Sequence, residues 1–413
     1  MKDLVIKNRQ KMFKNMKDNS LLVLFAGRAA HRSADQAYEF TPNRNFYYLT
    51  GLDREEFILV MSKFDGYMKE QLFITKPDPD IEKWIGIRMR IDEAKEASGI
   101  DNVAYVEAFP SYFNSLLSNH YFENIYVDTE YHEDVRKLGL KFAEEIREKH
   151  PHLRILSASN IIHELRVIKE KQEIEYMKKA IEITKHGIEA IMKNCRSGIY
   201  EKQLEAYYDF AIKYHLADSR SFKTIMASGK NATILHYEEN NHLLEDGNLV
   251  LFDLGAEYKH YCSDITRTIP INGKFSPRQK EVYESVLRVN ETMIKMIKPG
   301  LLYKTFLDTA KDLLAEECIK LGLITDKKDV GKYYYHGIGH FLGLDVHDVG
   351  IREFGERKFE PGMVVTVEPG LYIAEENIGV RIEDNVLVTE DGSENLSKDI
   401  IKSVHDIEAF MNR

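Results

Sequence analysis

The sequence predicts an α/β (α+β) protein of two domains, the second a pair of duplicated helix-and-hairpin halves. Three observations predict it. At 413 residues the chain is longer than one compact domain usually is. Its first 150 residues mix short β-rich runs with helical stretches. The remainder runs through the order helix, glycine turn, helix, sheet twice.

In the first part, LLVLFAG, NFYYLTG and FILVMS read as the β-rich runs, and RKLGLKFAEEIREKH reads as a helix. From about Ser159 the texture changes to a long amphipathic helix, with Ile174, Met177, Ile181, Ile188 and Ile191 at three-, four- and seven-residue spacings. The domain boundary therefore falls within residues 152–165, giving domains of 1–158 and 159–413. The first long helix stops near Ser197-Gly198, and Tyr200 to Leu216 forms the next. In the second half, Ser276, Pro277 and Gln279 supply an N-cap, a first-turn proline and a capping-box partner. That helix ends at Pro299-Gly300, and another runs from about Leu302 to Leu321 with Gly322 as its C-cap.

Composition excludes several classes. Hydrophobic residues make up 43% and charged residues 30%, unlike a disordered or fibrous chain. A net charge of −10 gives no attraction to nucleic acid or an anionic membrane, so neither is expected as a partner. Cys195, Cys262 and Cys318 are odd in number and widely spaced, which fits a reducing cytoplasm better than a disulfide framework. The charged N-terminus lacks the apolar run of a secretory leader, and no stretch is long and apolar enough for a membrane span.

The chemistry concentrates in the hairpins. LVLFDLGAEY and CSDITRTIPI read as paired strands holding Asp253 and Asp264, while VVTVEPGLYI and GVRIEDNVLV hold Glu368 and Glu383. Aspartate is depleted in strands, and a buried unpaired carboxylate costs several kcal/mol, so each acid either faces solvent, pairs with Arg267 or Arg381, or meets another cation. Should the hairpins face each other, four carboxylates converge, and metal ions are the natural neutralisers. Oxygen-rich ligation with at most one imidazole suits manganese better than a structural zinc. Between the acid pairs, YYYHGIGHFLGLDVHDVG holds His336, His340 and His347 among four glycines. The spacing of His336 and His340 is that of a helical zinc motif, but the intervening glycines and the missing glutamate reject it. His236, in TILHY, is a further candidate.

In order and context, Asp253, Asp264, His340, Glu368 and Glu383 resemble the ligand set of the pita-bread metallopeptidases. The resemblance runs from about Leu165 onward, strongest in HGIGHFLGLDVHDVG, VVTVEPGLYI and VRIEDNVLVT. RSADQAYEFTPNRNFYYLTGLDREEFILVM resembles the creatinase-like amino domain that precedes the catalytic domain in Xaa-Pro aminopeptidases and prolidases.

The resemblance implies a metal-dependent aminopeptidase that hydrolyses the N-terminal Xaa-Pro bond of short peptides. Prolidase is the nearest alternative, and a creatinase-like hydrolase or a non-catalytic peptide-binding module a more remote one. It implies two divalent ions per subunit, manganese first, with zinc, cobalt or iron as alternatives. Asp253 would bind one ion through both oxygens, Asp264 and Glu383 would bridge, and His340 with Glu368 would complete the second site around a bridging water. Glu368 would shuttle the proton. His347 and His236 would meet the substrate carbonyl, Arg381 would orient His347 or a ligand carboxylate, Tyr372 would line the pocket, and His336 would support the site. Trp84, in EKWIGIRM, looks like a segment that reaches a neighbouring active site in oligomeric relatives, or else is an ordinary buried aromatic. A homodimer or homotetramer is implied.

Overall fold

The structure, a computed structural model, describes residues 1–129, 138–350 and 356–412. It divides into two compact units, Met1–Arg166 and Val167–Arg413.

In the first unit the chain opens with helix α1 (Lys2–Asn15) and then lays down six strands: β1 (Ser20–Phe25), β2 (Ile58–Phe64), β3 (Tyr67–Ile74), β4 (Val103–Tyr105), β5 (Asn124–Val127) and β6 (Arg154–Ser157). They form one mixed sheet in the order β4-β3-β2-β1-β5-β6. LLVLFAG and FILVMS supply β1 and β2, which pair antiparallel with Leu22 opposite Met61. Helix α4 (Leu138–Lys149) occupies the predicted helical stretch, whose first two residues, 136–137, lie outside the described residues.

NFYYLTG departs from expectation. It is helix α2 (Arg44–Thr50), capped by the Asn43 side chain, which accepts from the Phe46 N–H, and stopped by Gly51 at φ +68°. Aromatic residues enrich strands because they pack well on a half-buried surface, but here Phe46, Tyr47, Tyr48 and Leu49 are all buried, so the caps decide the conformation. Trp84, in helix α3 (Pro79–Ile85), is 87% exposed, which removes the reading of a buried aromatic.

The second unit carries helix α5 (Lys171–Asn194), α6 (Glu201–Tyr214), α7 (Pro277–Met296) and α8 (Tyr303–Lys320). The continuous helix expected from Ser159 is two: Ser159–Val167, then α5. Lys169 breaks it because its N–H donates to Gly362 O and its ammonium to Asp348 Oδ2 at 2.9 Å, after which Glu170 and Glu173 cap the new helix. Ser276, Pro277 and Gln279 cap α7 as predicted.

Between the helix pairs lie the strands β7 (Ile225–Ser228), β8 (Leu249–Leu254) and β9 (Ile265–Pro270), and in the second half β10 (Val364–Val367), β11 (Gly370–Ile373), β12 (Ile378–Arg381), β13 (Asp384–Val388) and β14 (Ser393–Asn395). They form sheets β7-β8-β9, β10-β13-β14 and β11-β12. The halves join where Thr268 Oγ1 donates to Arg381 O at 3.1 Å and the Glu383 N–H donates to Thr266 O at 3.0 Å. One large apolar cluster, from Ile181 through Val250 and Val286 to Val386, spans both halves.

Arg267 anchors this junction from within the core. Fully buried, it donates to the carbonyls of Thr266, Glu383, Ile400 and Ile401 and to Asp384 Oδ1 at 2.9 Å. Burial alone would raise the Asp384 carboxyl, but Arg267 and Lys402 outweigh it and hold it at about 2. Removing one partner of a buried, hydrogen-bonded pair leaves an uncompensated charge and costs several kcal/mol. Arg267→Met should therefore destabilise the protein by about 3 kcal/mol, read as a lowered thermal unfolding midpoint. A midpoint equal to wild type would refute this account of the junction.

Candidate metal centre

Three of the four hairpin acids sit at breaks in the strands and not inside them. Asp253 lies in β8, opposite Thr266. Asp264 falls just before β9, Glu368 between β10 and β11, and Glu383 between β12 and β13. The reason is local. The peptide of Asp264 is held by a side chain, since its N–H donates to Asn385 Oδ1 at 3.1 Å and its carbonyl accepts from Asn385 Nδ2 at 2.5 Å. Glu368 precedes Pro369, which lacks the N–H a ladder needs, and its own N–H donates to Ile338 O at 2.8 Å. Freed from the pleat, the acids turn toward one another.

Asp264, His340 and Glu383 each offer a ligand atom within 4.8 Å of the others. His340 Nε2 lies 3.3 Å from Asp264 Oδ2 and 3.8 Å from Glu368 Oε1. Its Nδ1 is 3.0 Å from Phe341 O, a carbonyl that can only accept, so Nδ1 carries the proton and Nε2 presents its lone pair to the carboxylates. Close approach of the histidine segment to β10 requires a glycine: a Cβ on Gly339 would come within 2.0 Å of Thr366 O. The His340 N–H then donates to Thr366 Oγ1 at 3.0 Å.

Arg381 is the guanidinium at the centre. Its Nη2 donates to Asp253 Oδ2 at 2.6 Å, Nε to Thr266 Oγ1 at 3.0 Å and Nη1 to the Tyr372 hydroxyl at 3.0 Å. Thr266 passes the chain on, donating to Glu383 Oε2 at 2.7 Å. Tyr372 donates to His336 Nε2 at 2.8 Å, and His336 Nδ1 donates to Gly337 O at 2.6 Å. Arg381 thus donates to one cluster carboxylate, Asp253, and reaches Glu383 through Thr266.

The electrostatics are out of balance. Burial first, then Asp253 and Glu368, pushes the Asp264 carboxyl well above the usual range. Burial and the three other acids do the same to Glu383. Glu368 is also raised by burial, with His340 and Arg381 opposing. Burial and Arg381 take His336 down to about 3, and burial, His340 and His236 take His347 down to about 4, so both rings are neutral near pH 7. The His347 ring lies 4.3 Å from that of His340, and His236 is exposed. Among the described residues four carboxylates thus face one guanidinium, and no N–H donates to the buried Asp253 Oδ1 or Asp264 Oδ1. Buried acceptors that nothing donates to, beside an imidazole lone pair, fit divalent cations.

Sequence reasoning passed over Thr266, Thr366 and Asn385. Thr266 and Thr268 flank Arg267 as a run of buried polar residues in an otherwise apolar strand, and that run was the available signal.

Comparison with known proteins agrees with this geometry. The family model Metallopeptidase family M24 matches residues 175–390, and Aminopeptidase P, N-terminal domain matches 5–126. The Xaa-Pro aminopeptidase of Escherichia coli is 35% identical, over 98% of this chain and 96% of its own. A Bacillus anthracis structure provisionally classed as an aminopeptidase P superposes with a TM-score of 0.97 at 46% identity, covering 100% of this chain and 98% of that one. Structures of E. coli aminopeptidase P, one zinc-substituted with product and one with the inhibitor Pro-Leu, give 0.92 at 34% identity, covering 100% and 98%.

The chain belongs to metallopeptidase family M24, with the pita-bread fold preceded by an aminopeptidase P amino domain. Within that family it groups with the Xaa-Pro aminopeptidases and is a metal-dependent aminopeptidase.

A pH dependence follows from the raised carboxyls. Without cations the folded protein holds protons on Asp264 and Glu383 that the unfolded chain, titrating near about 4, has already released. The folded state then binds more protons, so stability falls as pH rises from about 4 through the raised values. Bound divalent cations remove that slope. Thermal unfolding across a pH series, with and without metal, should show the difference; parallel curves would contradict it.

Proposed function

We propose that the enzyme hydrolyses the N-terminal Xaa-Pro bond of short peptides, using two divalent cations held by Asp253, Asp264, His340, Glu368 and Glu383. The observation that carries this is the charge imbalance: four carboxylates against the Arg381 guanidinium leave more negative charge than one divalent ion offsets. One imidazole among oxygen donors favours manganese, with zinc, cobalt or iron as substitutes. The catalytic domain is assigned to 159–413 and the creatinase-like amino domain to 1–158.

Divalent cations at this site supply Lewis acidity toward the scissile carbonyl and bring a water's pKa close to neutral. The protein's residues do the rest. Glu368 accepts the proton of the attacking water and returns it to the departing proline nitrogen. His347 is neutral near pH 7 and offers an N–H to the substrate carbonyl without adding charge; His236 acts with it from the solvent side. Arg381 keeps Asp253 in place, while Tyr372 fixes His336 and lines the pocket. Tyr372 and Tyr335, with ring centroids 5.2 Å apart, form an aromatic wall suited to a proline ring, whose imide nitrogen has no N–H to satisfy. Affinity of the E. coli relative for Pro-Leu supports such a pocket. Trp84 contacts substrate at a neighbouring subunit's site in a homodimer or homotetramer. Cys195, Cys262 and Cys318, all free thiols, support a reducing cytoplasm.

His340→Ala and Glu383→Ala should each lower turnover by about a thousandfold or more while near-native far-UV circular dichroism persists. Chelator dialysis should abolish activity and manganese restore it; full activity in stripped protein would exclude the reading. An Xaa-Pro-Xaa tripeptide should be cleaved alongside an Xaa-Pro dipeptide. Cleavage of the dipeptide alone would make the enzyme a prolidase.

A further inference from the structure

Helix α6 is apolar on two faces. Leu204, Tyr208, Ala211 and Ile212 are buried, and the approach to α5 is close enough that a Cβ on Gly187 would meet the Tyr208 ring at 2.3 Å. On its outer face Tyr200, Gln203, Tyr207, Phe210 and Tyr214 recur at alternating intervals of three and four, the spacing by which one helix seats against another. Yet Tyr200, Phe210 and Tyr214 are between 52% and 72% exposed, and Leu216, just past the helix at φ +63°, is 77% exposed. Surface helices ordinarily turn a polar face to water.

Beside this ridge is a groove of about 700 Å³ between α5 and α6, its walls including Ala190, Ile199, Ala206 and Tyr207. Phe210 and Tyr214, with ring centroids 5.9 Å apart and nearly parallel, stand at its edge as a wedge. A surface carrying both wedge and groove is complementary to itself, the condition for a twofold contact.

We infer that the α5–α6 face is a homodimer interface, with the Phe210–Tyr214 wedge of each copy seated in the groove of the other. Charge sets the direction. Along α5 and just beyond it, Glu189 precedes Lys193 and Arg196 on the groove wall. Two copies running antiparallel bring Glu189 opposite its partner's cations, whereas a parallel pairing sets like against like. Lys193 lies over the Phe410 ring at 5.6 Å, which keeps its stem against the wall. Area agrees: aromatic side chains bury about 150–250 Å² each, so the exposed ridge provides roughly half of the ~800 Å² per partner of a standard interface, and the groove walls add to it.

This inference rests on the self-association proposed above and assigns it a surface. Sedimentation velocity on the full-length, manganese-loaded protein tests both. Wild type should sediment as a dimer or tetramer. Phe210→Glu with Tyr214→Glu should halve that mass, or raise the dissociation constant by more than about tenfold, with circular dichroism and thermal midpoint unchanged. Tyr121→Glu, equally exposed but on the other unit, should leave the mass as it was. Glu189→Lys should weaken association, and adding Lys193→Glu should restore it. A monomeric wild type overturns self-association and interface together. An assembly untouched by the wedge substitutions overturns the interface alone.

Discussion

Buried like charge is the constraint on which the catalytic unit depends. Asp264 and Glu383, buried, and Asp253 and Glu368, half-buried, are brought together around the Arg381 guanidinium, an arrangement that is unfavourable unless something cationic offsets it. Such an arrangement survives only in a scaffold that resists relaxation. The two halves provide it by joining at Thr266, Thr268, Arg381 and Glu383, where the bonds between them run through the very residues that carry or contact the charges.

Next to the acids lies a polar floor in which each charge has an opposite partner. Arg267, Asp384 and Lys402 form a buried charged group with every partner in hydrogen-bond range, and Asn290 joins it by accepting from Lys402 and donating to Val367 O and Ile382 O. The contrast between layers is instructive. Asp384, facing Arg267 and Lys402, is held low, whereas Asp264, where burial, Asp253 and Glu368 outweigh Arg381, is driven high. Two aspartates in comparable burial differ because of what faces them.

Much of the catalytic unit could be read from the sequence because its signals are strong: valine-rich strands interrupted by acids, capping residues such as Ser276 and Gln279, and a glycine-laced histidine run. The position of the acids relative to the strands could not, because the breaks depend on Asn385 and Ile338, each distant in sequence from the acid it serves. Nor could the helix at NFYYLTG, where burial on all sides erased the periodicity that separates helix from strand and left the decision to Asn43 and Gly51. The split at Lys169 has the same origin, since its partners Gly362 and Asp348 come nearly two hundred residues later.

The floor has a consequence for local opening. Arg267 donates to the carbonyls of Ile400 and Ile401, the Tyr283 hydroxyl to that of Lys402, and Lys402 itself to Asp384. Those contacts fasten the segment 400–402 to the junction of the halves. Lifting it away would strip the buried Arg267 and Asp384 of partners at once, so the segment and the junction open as one cooperative unit.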